Sequence, residues 1–533
     1  MSTQLKTPGV YIEEISKLPP SVAQVETAIP AFVGYTEKTV GKPTRISSLL
    51  EYEAIFGGAQ KHQIKLKDTA NGLELEKPTA TFLMYHSLQI FFANGGGPCY
   101  IVSTGTYGAT LAIGDFEDAL KSLEKEDEPT LLVFPDVYKT LGETNAYAIY
   151  QLALAQANEM GDRFVIMDTL KGDSEKVNNK TTIELFRASG VPADKYGAVY
   201  FPHLTTVLNY HFIESSDVAA EKISHVGTED TTPFNDEKAA LLVIKGSSDS
   251  LSKKKTAVLK IIAAVNKTID VKITAALITA VEGANSGNIG DVIGTDTIGV
   301  VGHIHNNNVD AIGEASGKKL SDLKGTALYS EIKQLISAMP VVLPPAAAMA
   351  GVYARVDSNR GVHKAPANVG LNYVIAPTEK ISDAEQEGMN VDATGGKSIN
   401  AIRTFAGKGT LVWGARTLDG NSNEWRYVPV RRFFNMVEES VQKASSRFVF
   451  EPNTANTWVR IQGMIENFLT QQWKAGALAG AKPEEAFYVS VGLGATMSAL
   501  DVQEGRMIIE IGMAAVRPAE FIVLRFSHKL QEA

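Results

Sequence analysis

Two acidic residues stand where an α/β enzyme would put them. Asp136 closes the run L-L-V-F-P-D and Asp168 closes R-F-V-I-M-D; both fall at the carboxyl ends of short apolar strands, where open α/β sheets gather their ligand sites. An aspartate in that position can act as a general base, and it can equally cap the turn or helix that follows. No G-T-S-type nucleophile setting with a partnered histidine accompanies either one. His303 and His305 flank Ile304 and would share one face of a strand as half of a metal site, but no cysteine or third ligand lies close by, and the following N-N-N reads as a loop. The segment F-F-A-N-G-G-G-P-C-Y-I-V invites a phosphate-loop reading. Its glycines precede a strand instead of joining strand to helix, and neither G-x-G-x-x-G nor G-K-[ST] is present, so a tight structural turn is expected at Gly95 to Pro98. No catalytic, cofactor or metal site is assigned; a hydrolase using Asp136 or Asp168 is the competing reading.

Composition narrows the classes further. A chain of 533 residues, 44% hydrophobic and 21% charged, is ordinary for a soluble protein and long enough for several domains. The net charge of -9 supplies no broad basic surface, so nucleic acid is not expected as a partner. The single cysteine, Cys99, excludes an intrachain disulfide and suits a reducing cytoplasm. The start M-S-T-Q-L-K lacks the apolar run of a signal peptide, and no stretch has the eighteen or so apolar residues of a membrane helix. Synthesis in a reducing cytoplasm is the expectation, with no membrane insertion.

The elements that must position these residues follow from periodicity and breakers. Pro8-Gly9 precedes the β-favouring Val10, Tyr11 and Ile12, one isolated strand to Ile15 ahead of Pro19-Pro20. A buried strand is expected at Ala31 to Gly34, a helix from Ile46 to Phe56 stopped by Gly57-Gly58, a helix from Thr81 to Phe92, and a strand from Cys99 to Ser103. From Phe116 to Tyr200 helices and apolar strands alternate, which argues for a largely parallel sheet covered on both faces. The block from His211 to Ala338 has only Phe212, Phe234 and Tyr329 as aromatics and reads as an inserted surface domain. Further on, I-R-T-F-A-G-K-G-T-L-V-W is expected to be a strand with Trp413 packed in it, and W-R-Y-V-P-V a strand entering a helix at Val430. Trp458, Ile461, Ile465, Phe468, Leu469 and Trp473 recur at helical spacing. Two strand-like runs close the chain, M-I-I-E-I-G-M-A-A-V and F-I-V-L-R-F-S-H-K-L; the second would be aggregation-prone as a free edge.

The stretch from Met339 to Asn368, with P-P-A-A-A-M-A-G, V-Y-A-R-V-D and G-V-H-K-A-P-A-N, resembles the junction segment of contractile tail sheath proteins of phage tails, R-type pyocins and extracellular contractile injection systems. The same family is matched by P-G-V-Y-I-E-E, by T-A-I-P-A-F-V-G-Y-T, by the helix, N-G-G-G, strand passage, by F-x-F-E-P-N, and by W-x-x-G-A-L-x-G-A with Gly476, Ala477, Leu478, Gly480 and Ala481. The likeness runs from about Pro8 to Ser103 and from Met339 onward; the inserted block carries no comparable signature.

That resemblance implies an α/β and α+β multidomain chain: an N-terminal arm strand (1–20), the first part of the sheath core (21–104), a subtilisin-like α/β middle domain in two parts (105–210 and 339–415), an inserted outer domain (211–338), a C-terminal core (416–512) and a C-terminal arm strand (513–533). It implies a structural subunit and no enzyme. The arm residues would be Val10, Tyr11, Ile12, Phe521, Ile522, Val523, Leu524 and Phe526, each arm adding a strand to a neighbour's sheet. Eight residues reach about 26 Å, enough to cross a subunit boundary, and head-to-tail contacts of this kind propagate into a helix. Expected partners are further copies of the chain in stacked, hexameric rings, an inner tube protein, baseplate and tail-terminator proteins and paralogous sheath chains. Arg460, Glu466 and Lys474 are the candidate tube contacts, and release by lysis inside a phage tail-like particle is the expected way out of the bacterial cytoplasm that the resemblance implies. A static tail or baseplate component is the remaining alternative.

Overall fold

The computed structural model describes residues 22–69, 72–78, 82–109, 112–137, 142–170, 182–228, 235–268, 275–293 and 315–524. The chain divides into two compact units, one of residues 1–59, 81–206 and 342–533, the other of 60–80 and 207–341. Segment 60–80 therefore leaves the first core, with which the sequence reading had grouped it. The reason is strand pairing: Lys65–Thr69 lies parallel to Ser224–Thr228, and Lys61–His62 parallel to His211–Phe212.

The first unit is organised by a nine-stranded sheet in the order Val369–Gly370, Gly409–Val412, Asn400–Phe405, Gly197–Phe201, Phe164–Asp168, Leu131–Val133, Pro30–Thr36, Cys99–Thr106, Thr44–Ile46. Its centre is parallel and its two margins antiparallel. The central runs P-A-F-V-G-Y-T, L-L-V, F-V-I-M-D and G-A-V-Y-F are buried at every position. Strands buried on both faces read as continuous apolar runs, which is why short apolar runs marked them in the sequence. Helices Ile113–Leu123 and Gly142–Met160 pack over this sheet around Phe116, Leu120, Tyr150 and Leu154.

The stretch with paired prolines forms helix Ala346–Arg360, whose first eight residues are all buried. Small side chains let it approach helix Met84–Ala93: a Cβ on Gly351 would stand 2.4 Å from the Phe91 carbonyl oxygen. Helix Val428–Ser445 joins this layer to a second core through Arg432, which bonds Asp357 at 2.5 Å and the Thr27 carbonyl at 2.8 Å. In the second core Phe433, Met436, Ile461, Ile465, Phe468 and Leu469 meet Val22, and an antiparallel pair, Phe487–Val491 with Ile509–Met513, closes one side.

Three local expectations are corrected. Ile46 ends a strand, and the helix runs Leu49–Phe56 behind Ser48, whose hydroxyl accepts from the Glu51 amide. The run around Trp413 is a hairpin of two strands, not one, because Gly407 and Gly409 turn the chain with φ of 74° and 79°; Trp413 lies beyond it, 37% exposed, against Phe405. The segment before Val430 is not a strand: Pro429 sits in the first turn of a helix already begun at Val428.

The second unit has a three-stranded sheet, with Lys65–Thr69 between Ser224–Thr228 and Gly72–Leu75. Helices Asn235–Gly246, Leu251–Thr268 and Ala275–Gly283 surround an aliphatic cluster of Leu241, Val258, Ile262, Leu277 and Val281. Lys254 and Lys255 send their ammonium groups to the carbonyls of Lys245 and Glu282, at the C-terminal ends of the two neighbouring helices, where a cation offsets the helix dipole. The chain passes between the units along Leu204–Asn209 and Pro340–Leu343, neighbouring strands of a three-stranded sheet completed by Val374–Pro377.

Candidate functional site: capped aspartates and open strand edges

The two strand-end aspartates are buried and spoken for. Asp136 is fully buried and accepts from the amides of Tyr35 and Leu83, both at 2.6 Å. Leu83 immediately precedes helix Met84–Ala93, so the carboxylate supplies the acceptor that a helix N-terminus lacks. Burial outweighs these bonds and pushes its pKa up to about 7. Asp168, 2% exposed, does the same for helix Ala346–Arg360, accepting from the Ala346 amide at 2.7 Å, and burial raises its pKa well above the carboxylate range. The raised values thus arise from burial inside a packing layer, and the donors that meet the carboxylates are main-chain amides of the elements they hold. The Gly95–Pro98 glycines form the tight turn between helix Met84–Ala93 and strand Cys99–Thr106. His303 and His305 lie outside the described residues. Among the described residues no group of three or more His, Cys, Asp or Glu side chains is arranged to hold a metal, and no helix is long and apolar enough to cross a membrane.

A different feature emerges at the C-terminal core. The hairpin of Phe487–Val491 and Ile509–Met513 is a sheet of two strands only, so neither strand has a second strand partner among the described residues. The chain after it is zipped to the G-A-L turn, with the Ala479 amide donating to the Ala514 carbonyl at 2.7 Å and that of Val516 to Ala477 at 3.0 Å. Beyond Glu520, Phe521, Ile522, Val523 and Leu524 are between 73% and 79% exposed and belong to no strand. Four consecutive apolar residues in water are a template for pairing with another chain. Val10, Tyr11, Ile12 and Phe526 lie outside the described residues.

Comparison with known proteins decides the family. The phage tail sheath protein central domain matches residues 237–418 and the phage tail sheath C-terminal domain matches residues 421–529, together more than half of the chain. The fold is similar to a chain of the 6-fold symmetrised baseplate of the anti-feeding prophage, at 28% identity and a TM-score of 0.58, covering 99% of this chain and 100% of the other. It is similar to a chain of an extracellular contractile injection system, the PVC sheath complex in its contracted state, at 27% identity and a TM-score of 0.59 over 99% of both chains. A third likeness, at 28% identity and a TM-score of 0.58, is to the anti-feeding prophage helical sheath in its contracted state, covering 98% of this chain and 100% of that one. The chain belongs to the contractile tail sheath family. A comparison with curated protein sequences finds no match.

Membership makes this chain a structural sheath subunit and moves the interest from the aspartates to the open edges. The central-domain match begins at residue 237 and so takes in most of the block that the sequence reading left without a family signature. That block is poor in aromatics and in fixed motifs, which is why short recognisable strings could not find it. On helix Ala455–Lys474, Arg460 and Lys474 are exposed, with Arg460 lying over the Phe448 ring. Glu466 is half-buried and accepts from the Gln462 side chain at 2.8 Å.

Proposed function

We propose that this subunit polymerises head to tail into a helical sheath around an inner tube, each copy donating terminal strands to its neighbours. The sheath then shortens by rigid-body rearrangement to drive the tube through a target envelope. The observations that carry this reading are the sheet of the C-terminal core, which has two strands among the described residues, and the four exposed apolar residues Phe521 to Leu524. An arm making five or six ladder hydrogen bonds contributes on the order of 5 kcal/mol before ordering costs, at about 1 kcal/mol each. That is enough to keep subunits linked while their globular faces re-pack. The driving energy is the better set of interfaces in the shortened state, so no nucleotide is consumed and no catalytic residue is needed. Burial of Asp136 and Asp168 as helix caps supports the non-enzymatic part of the reading.

The finer assignments belong to the same proposal. The parallel sheet with helices between its strands supports a subtilisin-like scaffold for the middle of the chain. Rings of six are inferred from the 6-fold symmetry of the baseplate assembly containing one relative, with baseplate, terminator and paralogous sheath chains as further neighbours and lysis as the route of release. Arg460 and Lys474, supported by their exposure on one helix, are the proposed tube contacts together with Glu466.

The test is negative-stain electron microscopy of the protein expressed alone and with its genomic neighbours, for the full chain and for a variant lacking residues 1–18. Striated hollow tubes, wide alone and narrower around an inner tube, are expected for the full chain, and a folded monomer for the truncation. Uniform monomers of the full chain under both conditions would overturn the proposal, as would contraction that requires ATP.

A further inference from the structure

Glu520 is the last residue of the described chain that the body grips. Its carboxylate accepts from Arg416 Nε at 2.9 Å and Nη2 at 2.7 Å, from Asn390 Nδ2 at 2.8 Å and from the Tyr427 hydroxyl at 3.0 Å. A carboxylate has about four acceptor sites, and these bonds account for them. Arg416 is 4% exposed and gives its remaining Nη1 to the Asn390 carbonyl at 3.0 Å. The three partners come from separate elements: the last residue of helix Asp383–Asn390, the segment after the Gly409–Val412 strand, and the residue that precedes helix Val428–Ser445. Arg416 is itself built into the sheet, its amide and carbonyl both bonded to the Asn400 side chain at 2.8 Å. One residue further, Phe521 is 73% exposed. The chain therefore passes in a single step from a four-bonded carboxylate, on a side chain 22% exposed, to solvent.

We propose that Glu520 is a positioning residue for assembly. It fixes the point and direction from which the C-terminal donor segment, beginning at Phe521, leaves the body, and it passes load on that segment through Arg416 into the central sheet. This rests on the reading that residues from Phe521 onward add to a neighbouring copy. A bare tether would need only the main-chain zipper at Ala514 and Val516. Glu520 adds a bidentate arginine contact, which fixes orientation as well as attachment. Without it, the donor segment would pivot from Val516 and sample a wider cone, lowering its effective concentration at the acceptor edge.

The experiment uses the full chain and three variants: a deletion of residues 521–533, Glu520→Ala and Glu520→Gln. Assembly is read as the critical concentration for tube formation. The exit geometry is read as the spin-label distance distribution between Glu424→Cys and Ile522→Cys in the monomer. Cys99 is buried and its thiol pKa is raised by that burial, so it stays unlabelled. The deletion is expected to abolish tubes. Glu520→Ala is expected to raise the critical concentration about tenfold and at least to double the width of the distance distribution, with a smaller change in both for Glu520→Gln. If the deletion abolishes tubes while both point variants match the parent in assembly or in distance width, the positioning role is overturned and the strand-donation reading stands. If the deletion forms normal tubes, both fall. Should Glu520→Ala fail to fold, Glu520→Gln alone decides between these outcomes.

Discussion

The sheet core and the C-terminal core of the first unit are built to different standards of completion. In the sheet core the strands around Phe32, Leu132, Ile166 and Val199 are buried at every position, and their neighbours on both sides are strands of the same chain. In the C-terminal core the paired strands show the patterns of partly exposed elements, with Val489 their only buried residue, and among the described residues they stop at two. The first region is finished within one chain. The second closes with a two-stranded sheet that packs against helix Ala455–Lys474, with no third strand among the described residues. Stability is concentrated in the one, and under the proposed function the edge of the other serves assembly, so mutations should separate the two properties cleanly.

The largest effect is expected at the joint between the regions. Arg432→Met leaves the Asp357 carboxylate, 7% exposed at its side chain, without its ion-pair partner and with the Thr27 hydroxyl as its remaining donor. Breaking a buried pair from one side costs about 3–5 kcal/mol, and urea unfolding of the monomer should read that loss. A loss below about 1 kcal/mol would mean that the joint is not the continuous layer described above.

A second test uses acidity to separate the regions. The folded pKa of Asp136, about 7, lies above its ordinary 3.8, so between those values the folded chain holds a proton that the unfolded chain has released. The stability contributed by this group is complete below about pH 4 and is lost as pH rises through about 7. The loss is up to about 1.4 kcal/mol per pH unit in that window. Unfolding of the wild-type and Asp136→Asn monomers at pH 5 and pH 8 should show this component only in the wild type. A common slope in both would remove Asp136 as its source.

The smallest effect on the monomer is expected at the solvent face of helix Ala455–Lys474. Reversing Arg460 and Lys474 together should change stability by no more than about 0.5 kcal/mol, as exposed substitutions usually do, and leave tubes of the protein alone unchanged. Assembly around the inner tube protein should fall sharply. Unaltered co-assembly would return both residues to ordinary surface charge.

Much of the fold was legible where each residue's environment is set by its immediate neighbours in sequence. Continuous apolar runs gave the central strands, and the spacing from Ile461 to Leu469 gave the long helix, because both signals are local. The errors fall where a single residue changes the path: Ser48 starting a helix that Ile46 does not enter, and the glycines at 407 and 409 folding one expected strand into two. Segment 60–80 joined the second unit because its partners lie beyond residue 207, a pairing that no local pattern announces. The aspartates drew attention because strand ends in α/β sheets are where ligands bind, yet helices that begin at those ends need acceptors just as much. Glu520 went unnoticed because its partners are 93, 104 and 130 residues away. The only sequence hint was an acid placed between a proline and four apolar residues.

The route between the two units has a practical consequence. The chain departs on Leu204–Asn209 and comes back on Pro340–Leu343, strands that lie side by side, and neighbouring strands are about 4.8 Å apart. Because segment 60–80 pairs with strands inside the block, the block cannot be exchanged whole, but an added domain with equally close termini can be carried alongside it. On a polymer built from many copies, such a graft would be displayed at the regular spacing of the lattice, making this junction the natural place to engineer a decorated filament.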